Sequence, residues 1–252
     1  MQDSEKLYQE AARAIRSSEC MLALTGAGIS VASGIPDFRS PGGLWSRYDP
    51  QAVASDWALE NNPREVWQFL LEAIGVIFTA KPNPAHESLA SMEDMGFLRA
   101  VITQNIDSLH QRAGSRRVIE FHGGAGTFYC HKCGKKYNQQ KALELTVNDI
   151  PWLCSQCYGV VRPGVVFFGE QIPEHALQET RSLVLAADLV LVAGTSGDVA
   201  PAGTLPRWVK EQGGRVIEVN LGRTNFQGIS DIRLDEPAET ALPRIVEALQ
   251  PA

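Results

Sequence analysis

Four of the five cysteines in this 252-residue chain form two Cys-x-x-Cys pairs. Cys130 and Cys133 make the first pair, Cys154 and Cys157 the second, with 20 residues between them. Thiolates at this spacing can converge on one tetrahedral Zn²⁺ ion. Because four thiolates close the shell, the pattern predicts a structural zinc site that performs no chemistry. Free thiol pairs or a redox motif are the alternative, and we expect the intervening His131 on the module surface.

A glycine turn follows the first apolar run of the chain. Met21–Thr25 predicts a strand, and Gly26-Ala27-Gly28-Ile29-Ser30 follows it. Bare glycines let backbone amides approach phosphate oxygens. The dinucleotide fingerprint would place a third glycine where Val31 stands, so a purely structural turn is the alternative. Phe38 and Arg39 come soon after, on a loop bounded by glycine and proline, where they could close over a bound cofactor.

Polar side chains follow a second predicted strand. Gln104, Asn105 and Asp107 come directly after Ala100–Thr103. Parallel sheets keep their chemistry at the carboxyl ends of strands. An amide and a carboxylate there could bind a carboxamide group, and Gln104 could bond a ribose hydroxyl. The alternative is that Asp107 only caps the helix that begins near Leu109.

His122 is the candidate general base. It follows a short apolar run ending at Phe121, precedes Gly123-Gly124 and stands directly before the cysteine module. A single histidine is more often structural, but one at a strand end facing a cleft suits proton transfer, since its pKa lies near operating pH. The remaining histidines outside the cysteine module lack this context, and we assign no catalytic role to them: His86, His110 and His175.

The elements that must position these residues alternate between strand and helix patterns. Further apolar runs predict strands at Val165–Phe168, Leu189–Ala193 and Val216–Val219, and helical patterns cover Pro173–Ala187 and Ala238–Leu249. This alternation predicts an α/β fold, a Rossmann-like parallel sheet with helices on both faces. Two insertions should form a smaller lobe, a zinc-binding module and a helical insertion. The predicted domains are 1–35, 85–123 and 163–252 for the Rossmann-like domain, 36–84 for the helical insertion and 124–162 for the zinc-binding module.

Composition excludes several classes of protein. The net charge of −6 gives no field that would attract nucleic acid or an anionic membrane. The longest apolar stretch, Leu183 to Gly194, is interrupted by Asp188 and is too short to cross a bilayer. An odd cysteine count argues against a secreted disulfide framework. We therefore expect a cytoplasmic protein with no membrane partner and no specific nucleic-acid partner.

Eight segments, in order along nearly the whole chain, resemble the sirtuin family. They are GAGIS (26–30), SGIPDFRS (33–40), TQNIDSLHQRAG (103–114), the FHG around His122, the two Cys-x-x-Cys pairs, RPGVVFFGE (162–170), GTS (194–196) and VIEVN (216–220). The chain is most similar to prokaryotic sirtuin deacetylases. The resemblance implies that NAD and an acetyl-lysine peptide or protein meet in a cleft between the Rossmann-like domain and the small lobe.

The resemblance also implies roles for individual residues. The matching positions for NAD are Gly26, Ala27, Gly28, Ile29, Ser30, Asp37, Phe38, Arg39, Gln104, Asn105, Ile106, Asp107, Gly194, Thr195, Ser196, Asn220, Leu221, Gly222 and Ala238. Those for the acyl-lysine peptide are Phe38, Val166, Phe168, Gly169, Glu170, Gly197 and Val199. The catalytic positions are His122, Asn105 and Asp107.

The implied reaction begins when the acetyl oxygen attacks the nicotinamide ribose and nicotinamide leaves. His122 then acts as base for a ribose hydroxyl, and water completes transfer to give free lysine and O-acetyl-ADP-ribose. Mono-ADP-ribosyl transfer to protein is the nearest alternative activity, and a non-catalytic NAD- or zinc-binding protein is the alternative from a different class.

Two departures from the family pattern bear on specificity. Family members that remove succinyl or malonyl groups carry Tyr and Arg where this chain has Leu70 and Ala73, so we predict a preference for uncharged acyl groups. The family usually has bulkier side chains at Gly197 and Ala200. The smaller side chains here bury less apolar area, which predicts either weaker peptide binding or a preference for bulkier residues beside the lysine.

Overall fold

The computed structural model describes residues 2–37 and 47–250. In these residues the strands, numbered in chain order, are β1 (Met21–Thr25), β2 (Leu98–Thr103), β3 (Val118–Glu120), β4 (Gly123–Cys130), β5 (Lys136–Tyr137), β6 (Val161–Val165), β7 (Leu189–Ala193), β8 (Arg215–Val219) and β9 (Ile232–Leu234). The α-helices are α1 (Gln2–Arg16), α2 (Pro50–Val53), α3 (Asp56–Asn61), α4 (Pro63–Thr79), α5 (Pro84–Asp94), α6 (Leu109–Arg112), α7 (Gln139–Leu143), α8 (Glu174–Ala186), α9 (Leu205–Glu211) and α10 (Ala238–Leu249). 3₁₀ helices cover Ala27–Ser33 and Ala202–Thr204.

The larger sheet has six parallel strands in the order β3-β2-β1-β7-β8-β9. Thr25, the last residue of β1, lies opposite Thr103 on one side and Ala193 on the other. The strands therefore end level, and the residues that follow them emerge at one edge. This edge is where open α/β sheets bind ligands.

Helices cover both faces of this sheet. Alternate residues of β1 point to opposite sides, so Met21 and Ala23 pack with α1, α5 and α10, whereas Leu22 and Leu24 pack with α8 and α9. Both sets are buried, which explains why β1 is apolar throughout. Burial on both faces makes the sheet a rigid base for the loops at its carboxyl edge.

Most predicted elements are confirmed. β1 and β7 have the predicted bounds, β2 and β8 extend the predicted strands toward the N-terminus, and α10 matches the predicted helix. No sequence pattern indicated β9, because only three residues pair and the central one is Arg233. The α/β fold class is therefore correct.

The prediction for Val165–Phe168 is wrong. The strand in this region is β6 (Val161–Val165), and it pairs antiparallel with β4 in a separate sheet of order β5-β4-β6. Val165 and Phe167 are buried in the small-lobe core, which accounts for the apolar pattern. An apolar run shows that a segment is buried but does not show in which sheet it pairs.

The small lobe consists of α2–α4, the β5-β4-β6 sheet and α7. Its core surrounds Trp67 of α4, whose ring packs against Phe128 and Trp152. The indole N–H of Trp67 donates to the carbonyl oxygen of Val161 at 2.9 Å. The helical insertion and the cysteine-bearing segment thus share one core.

Among the described residues, no helix has the length and apolarity required to cross a membrane.

Candidate active site

The glycine turn after β1 packs against the turn after β7. The backbone N–H of Gly28 donates to the carbonyl oxygen of Gly194 at 2.9 Å. A Cβ at Gly26 would lie 2.7 Å from Cβ of Thr195, and one at Gly28 would lie 2.9 Å from Cα of Gly194. Gly194 has φ +63°, and a Cβ there would lie 2.2 Å from the backbone nitrogen of Ile29. The close approach therefore requires glycine at all three positions.

Ser30 joins the glycine turn to the polar end of β2. Its hydroxyl donates to Oδ2 of Asp107 at 2.7 Å and accepts from Nδ2 of Asn105 at 3.1 Å. Asn105 also donates to the carbonyl oxygen of Gly26 at 3.1 Å. The structure thus brings together predicted residues from two separate motifs.

Asp107 contacts both the helix that follows it and the glycine turn. Its Oδ1 accepts a hydrogen bond from the backbone N–H of Leu109 at 2.9 Å, as expected of a residue that caps the start of a helix. Its Oδ2 accepts the hydrogen bond from the hydroxyl of Ser30. The carboxylate is buried. Burial raises the pKa of Asp107, and the hydrogen bonds from Leu109 and Ser30 oppose that rise. Neighbouring Ile106 packs against the small-lobe core, and its carbonyl accepts from Ala125.

His122 lies beside the end of β2 with one ring nitrogen engaged. Nδ1 is 3.1 Å from the carbonyl oxygen of Gln104, and a carbonyl can only accept, so Nδ1 carries the proton. Nε2 is then the basic nitrogen, and it has no hydrogen-bond partner among the described residues. Burial lowers the pKa of His122, and the Gln104 hydrogen bond opposes that change. The imidazole is therefore neutral at neutral pH.

Gln104 links His122 to the β7 side of the cleft. Its side-chain Nε2 donates to Oγ1 of Thr195 at 3.0 Å, and the backbone N–H of Thr195 donates to Oδ1 of Asn220 at 2.8 Å. Nδ2 of Asn220 donates to buried Glu218 at 3.2 Å. One hydrogen-bonded chain thus connects predicted residues from three strand ends.

The other residues predicted for NAD differ in exposure. Leu221 is exposed, Gly222 has φ +69° and donates to Asp235, and Ala238 is buried in the first turn of α10. Ser196 donates to Asp198. Asp37 is half-buried, and the predicted Phe38 and Arg39 lie outside the described residues.

The segment predicted to bind the peptide runs beside His122. The backbone N–H of Val166 donates to the carbonyl oxygen of His122 at 2.8 Å. Phe168 exposes 42% of its surface, and Gly169 follows with φ +93°. The other residues predicted to bind the peptide, Gly197 and Val199, lie in the loop after Ser196. The carboxylate of Glu170 is not free for a ligand, because Arg162 and the backbone N–H of Phe167 donate to it.

The four cysteines form one cluster whose sulfur atoms all lie within 4.8 Å of one another. Sγ of Cys130 is 3.5 Å from that of Cys157, and Sγ of Cys133 is 3.7 Å from that of Cys154. Tetrahedral zinc with Zn–S bonds of about 2.3 Å requires S···S separations of about 3.8 Å. A disulfide would need about 2.05 Å. The cluster therefore fits a zinc ion with four thiolate ligands.

Two buried histidines lie closer to the site than the sequence indicated. His86 accepts from Asn83 at Nδ1, so its Nε2 carries the proton 3.4 Å from Oγ of Ser30. His110 is 2.9 Å from the hydroxyl of Thr25. Burial lowers the pKa of His86 to about 4, and burial with repulsion from His86 lowers the pKa of His110 to about 3. His86 takes part in a capping box at the start of α5. This local sequence pattern is the signal from which the fixed position of His86 could have been predicted.

The sequence model of the Sir2 family matches residues 26–201, which include the glycine turn, the polar end of β2, His122 and all four clustered cysteines. The chain belongs to the Sir2 family. A Sir2 relative from Pyrococcus abyssi, an NAD-dependent protein deacylase, is 46% identical over 96% of this chain and 97% of its own. An NAD-dependent protein deacetylase from Pyrobaculum aerophilum is 44% identical over 96% of this chain and 94% of its own.

Solved Sir2 structures have the same architecture. A Sir2 variant in complex with a deacetylated p53 peptide and 3′-O-acetyl ADP-ribose is 41% identical and superposes with a TM-score of 0.89. The match covers 94% of this chain and 96% of that one. The Sir2 fold of this protein is therefore established over nearly its whole length.

Proposed function

We propose that this protein is an NAD-dependent protein-lysine deacetylase that transfers the acetyl group to ADP-ribose and releases nicotinamide and O-acetyl-ADP-ribose. The observation that carries the proposal is the state of His122. Its Nδ1 proton is donated to the Gln104 carbonyl, and Nε2, which has no hydrogen-bond partner in the part of the chain that the structure describes, is available to accept a proton. The relative with acetyl-ADP-ribose and a deacetylated peptide supports the same activity.

The residues at the carboxyl edge of the sheet would hold NAD. The pyrophosphate would lie against the glycine turn after β1, where Gly26 and Gly28 carry no side chain that would keep it from the backbone. Asn105 and Asp107 would bind the carboxamide of nicotinamide, since both are buried and held in place by Ser30. Bound NAD supplies the electrophilic ribose carbon and the nicotinamide leaving group.

His122 would perform the proton transfer of the second stage. The neutral imidazole accepts a proton from a ribose hydroxyl at Nε2, while the Gln104 carbonyl stabilises the resulting imidazolium through Nδ1. The backbone at Gly169–Glu170 and at Gly197–Val199 would hold the peptide between them as an added strand. Val166 and the partly exposed Phe168 would line the acyl-lysine tunnel. The four cysteines lie in the small lobe and would leave a bound zinc ion no open coordination position, so its role would be structural.

The test is mass spectrometry of acetyl-lysine peptide incubated with NAD and the purified protein. We expect deacetylated peptide, nicotinamide and O-acetyl-ADP-ribose in equal amounts, and no deacetylated peptide from His122→Ala. Label retained on protein from adenine-labelled NAD, without peptide deacetylation, would instead indicate ADP-ribosyl transfer. Unchanged activity in His122→Ala would refute the proposed role of the base.

We further propose that the acyl pocket accepts uncharged groups. Leu70 is buried in the small-lobe core, and Ala73 supplies no charge. The neighbouring cation Arg47 is paired with Glu72 at 3.4 Å, and Glu72 also accepts from the hydroxyl of Tyr48. A succinyl carboxylate would therefore meet no free cation at these positions. Equal turnover of succinyl and acetyl peptides would contradict this proposal.

We infer a cytoplasmic location from the thiol chemistry. The clustered thiolates bind zinc only while they are reduced, and the cytoplasm maintains that state. Fractionation of cells that produce the protein tests this inference, and recovery with an oxidising compartment would overturn it.

A further inference from the structure

Arg162 is a buried cation that takes part in no step of the proposed reaction. Its side chain is only 1% exposed, and it lies on β6 opposite Tyr129 of β4. A guanidinium in such a position is strongly destabilised by the loss of its hydration unless charged and polar partners replace the water. Its partners therefore show what the residue does.

Most of its partners lie in or next to the segment proposed to bind the peptide. The others are the carbonyl oxygen of Pro163, to which Nε donates at 3.3 Å, and the ring of Tyr129. Nη1 and Nη2 both donate to the carboxylate of Glu170, the second at 2.8 Å. Nη2 also donates to the carbonyl oxygen of Val165 at 2.5 Å. The guanidinium carbon lies 4.2 Å from the centre of the Phe167 ring. This two-pronged ion pair with a stacked ring has a fixed geometry that lysine could not reproduce.

The ion pair closes a tight turn. The backbone N–H of Glu170 donates to the carbonyl oxygen of Phe167 at 3.0 Å, and the N–H of Phe167 donates back to the Glu170 carboxylate at 2.7 Å. Between these residues, Phe168 pairs with the helical insertion through the carbonyl of Ala54 at 2.8 Å. The turn thus fixes the direction in which Phe168 and Gly169 face the cleft.

We infer that Arg162 is a positioning residue for the acyl-lysine peptide. By holding Glu170 and Phe167, it keeps the backbone of Gly169 and Glu170 in the form that an added strand can pair with, before any peptide arrives. Binding then costs less ordering of the protein. The inference rests on the proposed deacetylase function, because it concerns the binding of that substrate.

The variants Arg162→Lys, Glu170→Gln and the double variant Arg162→Met/Glu170→Leu test this role. Lysine keeps the charge but loses the fork, and the double variant removes both charges, which restores stability where an ion pair serves only the fold. Arg117→Lys is the matched control, because Arg117 donates to Glu179 through two nitrogens on the exposed surface.

The measurements are the KM for acetyl-lysine peptide, the KM for NAD, ADP-ribose binding by calorimetry, zinc content and Tm. We expect the peptide KM to rise roughly tenfold or more in Arg162→Lys and Glu170→Gln, and the KM for NAD and ADP-ribose binding to stay within about twofold. In the double variant, Tm should return toward the wild-type value while the peptide KM stays high. The control should match wild type.

Two results would overturn the inference. One is an unchanged peptide KM in Arg162→Lys and Glu170→Gln. The other is a peptide KM that follows Tm back to the wild-type value in the double variant, which would show a purely structural role. Failure of the deacetylase proposal is distinct, because wild-type protein would then yield no nicotinamide from NAD and acetyl-peptide.

Discussion

Replacing Gly194 by alanine should damage both the stability of the fold and the binding of NAD. The residue has φ +63°, and an added Cβ would lie 2.2 Å from the nitrogen of Ile29 and 2.7 Å from the carbonyl carbon of Gly28. Carbon atoms normally approach to about 3.5 Å, so the overlap is about 1 Å. Both neighbours are backbone atoms, and no side chain can rotate to relieve the clash.

Two further variants separate the two causes of the expected loss of stability, the left-handed backbone conformation and the steric overlap. Gly96 has φ +81° with nothing within 4 Å of an added Cβ, so Gly96→Ala incurs only the left-handed backbone cost of about 1–2 kcal/mol. At Gly28 a Cβ would meet the backbone of Gly194 at 2.9 Å without a positive φ, so Gly28→Ala incurs the overpacking cost of about 1–3 kcal/mol. Gly194→Ala combines both, and we expect a loss of about 2–5 kcal/mol in the free energy of unfolding.

Urea unfolding gives the stabilities, and calorimetric titration with ADP-ribose gives the affinities. Because the glycine turn must move to admit the methyl group, we expect ADP-ribose to bind roughly tenfold or more weakly to Gly194→Ala and Gly28→Ala. Gly96→Ala should bind it as wild type does. The reasoning fails if Gly194→Ala loses no more stability than Gly96→Ala and binds ADP-ribose equally well.

Three other outcomes are expected. Burial lowers the pKa of His122, so the acid limb of kcat/KM for acetyl-peptide should lie below about pH 6.5, and a midpoint above about pH 7 would contradict the assignment of the base. Cys154→Ala should lose zinc and activity together, whereas His122→Ala should keep zinc, as metal analysis would show. The pKa values of His86 and His110 in the folded protein lie below their unfolded values, so the free energy of unfolding should decrease as the pH falls. Each histidine should lower it by about 2 kcal/mol between about pH 7 and pH 5, as measured by urea unfolding. If His86→Gln has the same pH dependence of stability as wild type, this explanation is excluded.

Local signals in the sequence were sufficient for four strands of the larger sheet, β1, β2, β7 and β8, and for the candidate zinc ligands. β1 and β7 are continuously apolar because both faces of the sheet are covered, and a Cys-x-x-Cys spacing fixes two ligands by local geometry alone. The sheet to which Val165 belongs depends on pairing with β4, about 40 residues earlier, and no local pattern encodes that pairing.

Contacts between distant segments could not be predicted from the sequence, because no local pattern encodes them. Gly194 is required to be glycine by the backbone of a turn more than 160 residues away. Arg162 is part of a recognised motif, but its burial and its stacking on Phe167 follow only from the folded small lobe. The kind of chemistry that a residue can perform can be predicted from the sequence, whereas packing contacts between distant segments are seen only in the folded structure.

The acceptor that orients His122 has a consequence for how the enzyme can evolve. Because it is the main-chain carbonyl of Gln104, every residue that can occupy position 104 supplies it. Mutation at that position can change the side-chain contact with Thr195, and the cofactor contact proposed for Gln104, while the tautomer of the proposed base is unchanged. Selection can therefore adjust cofactor affinity at this position without risking the proton transfer.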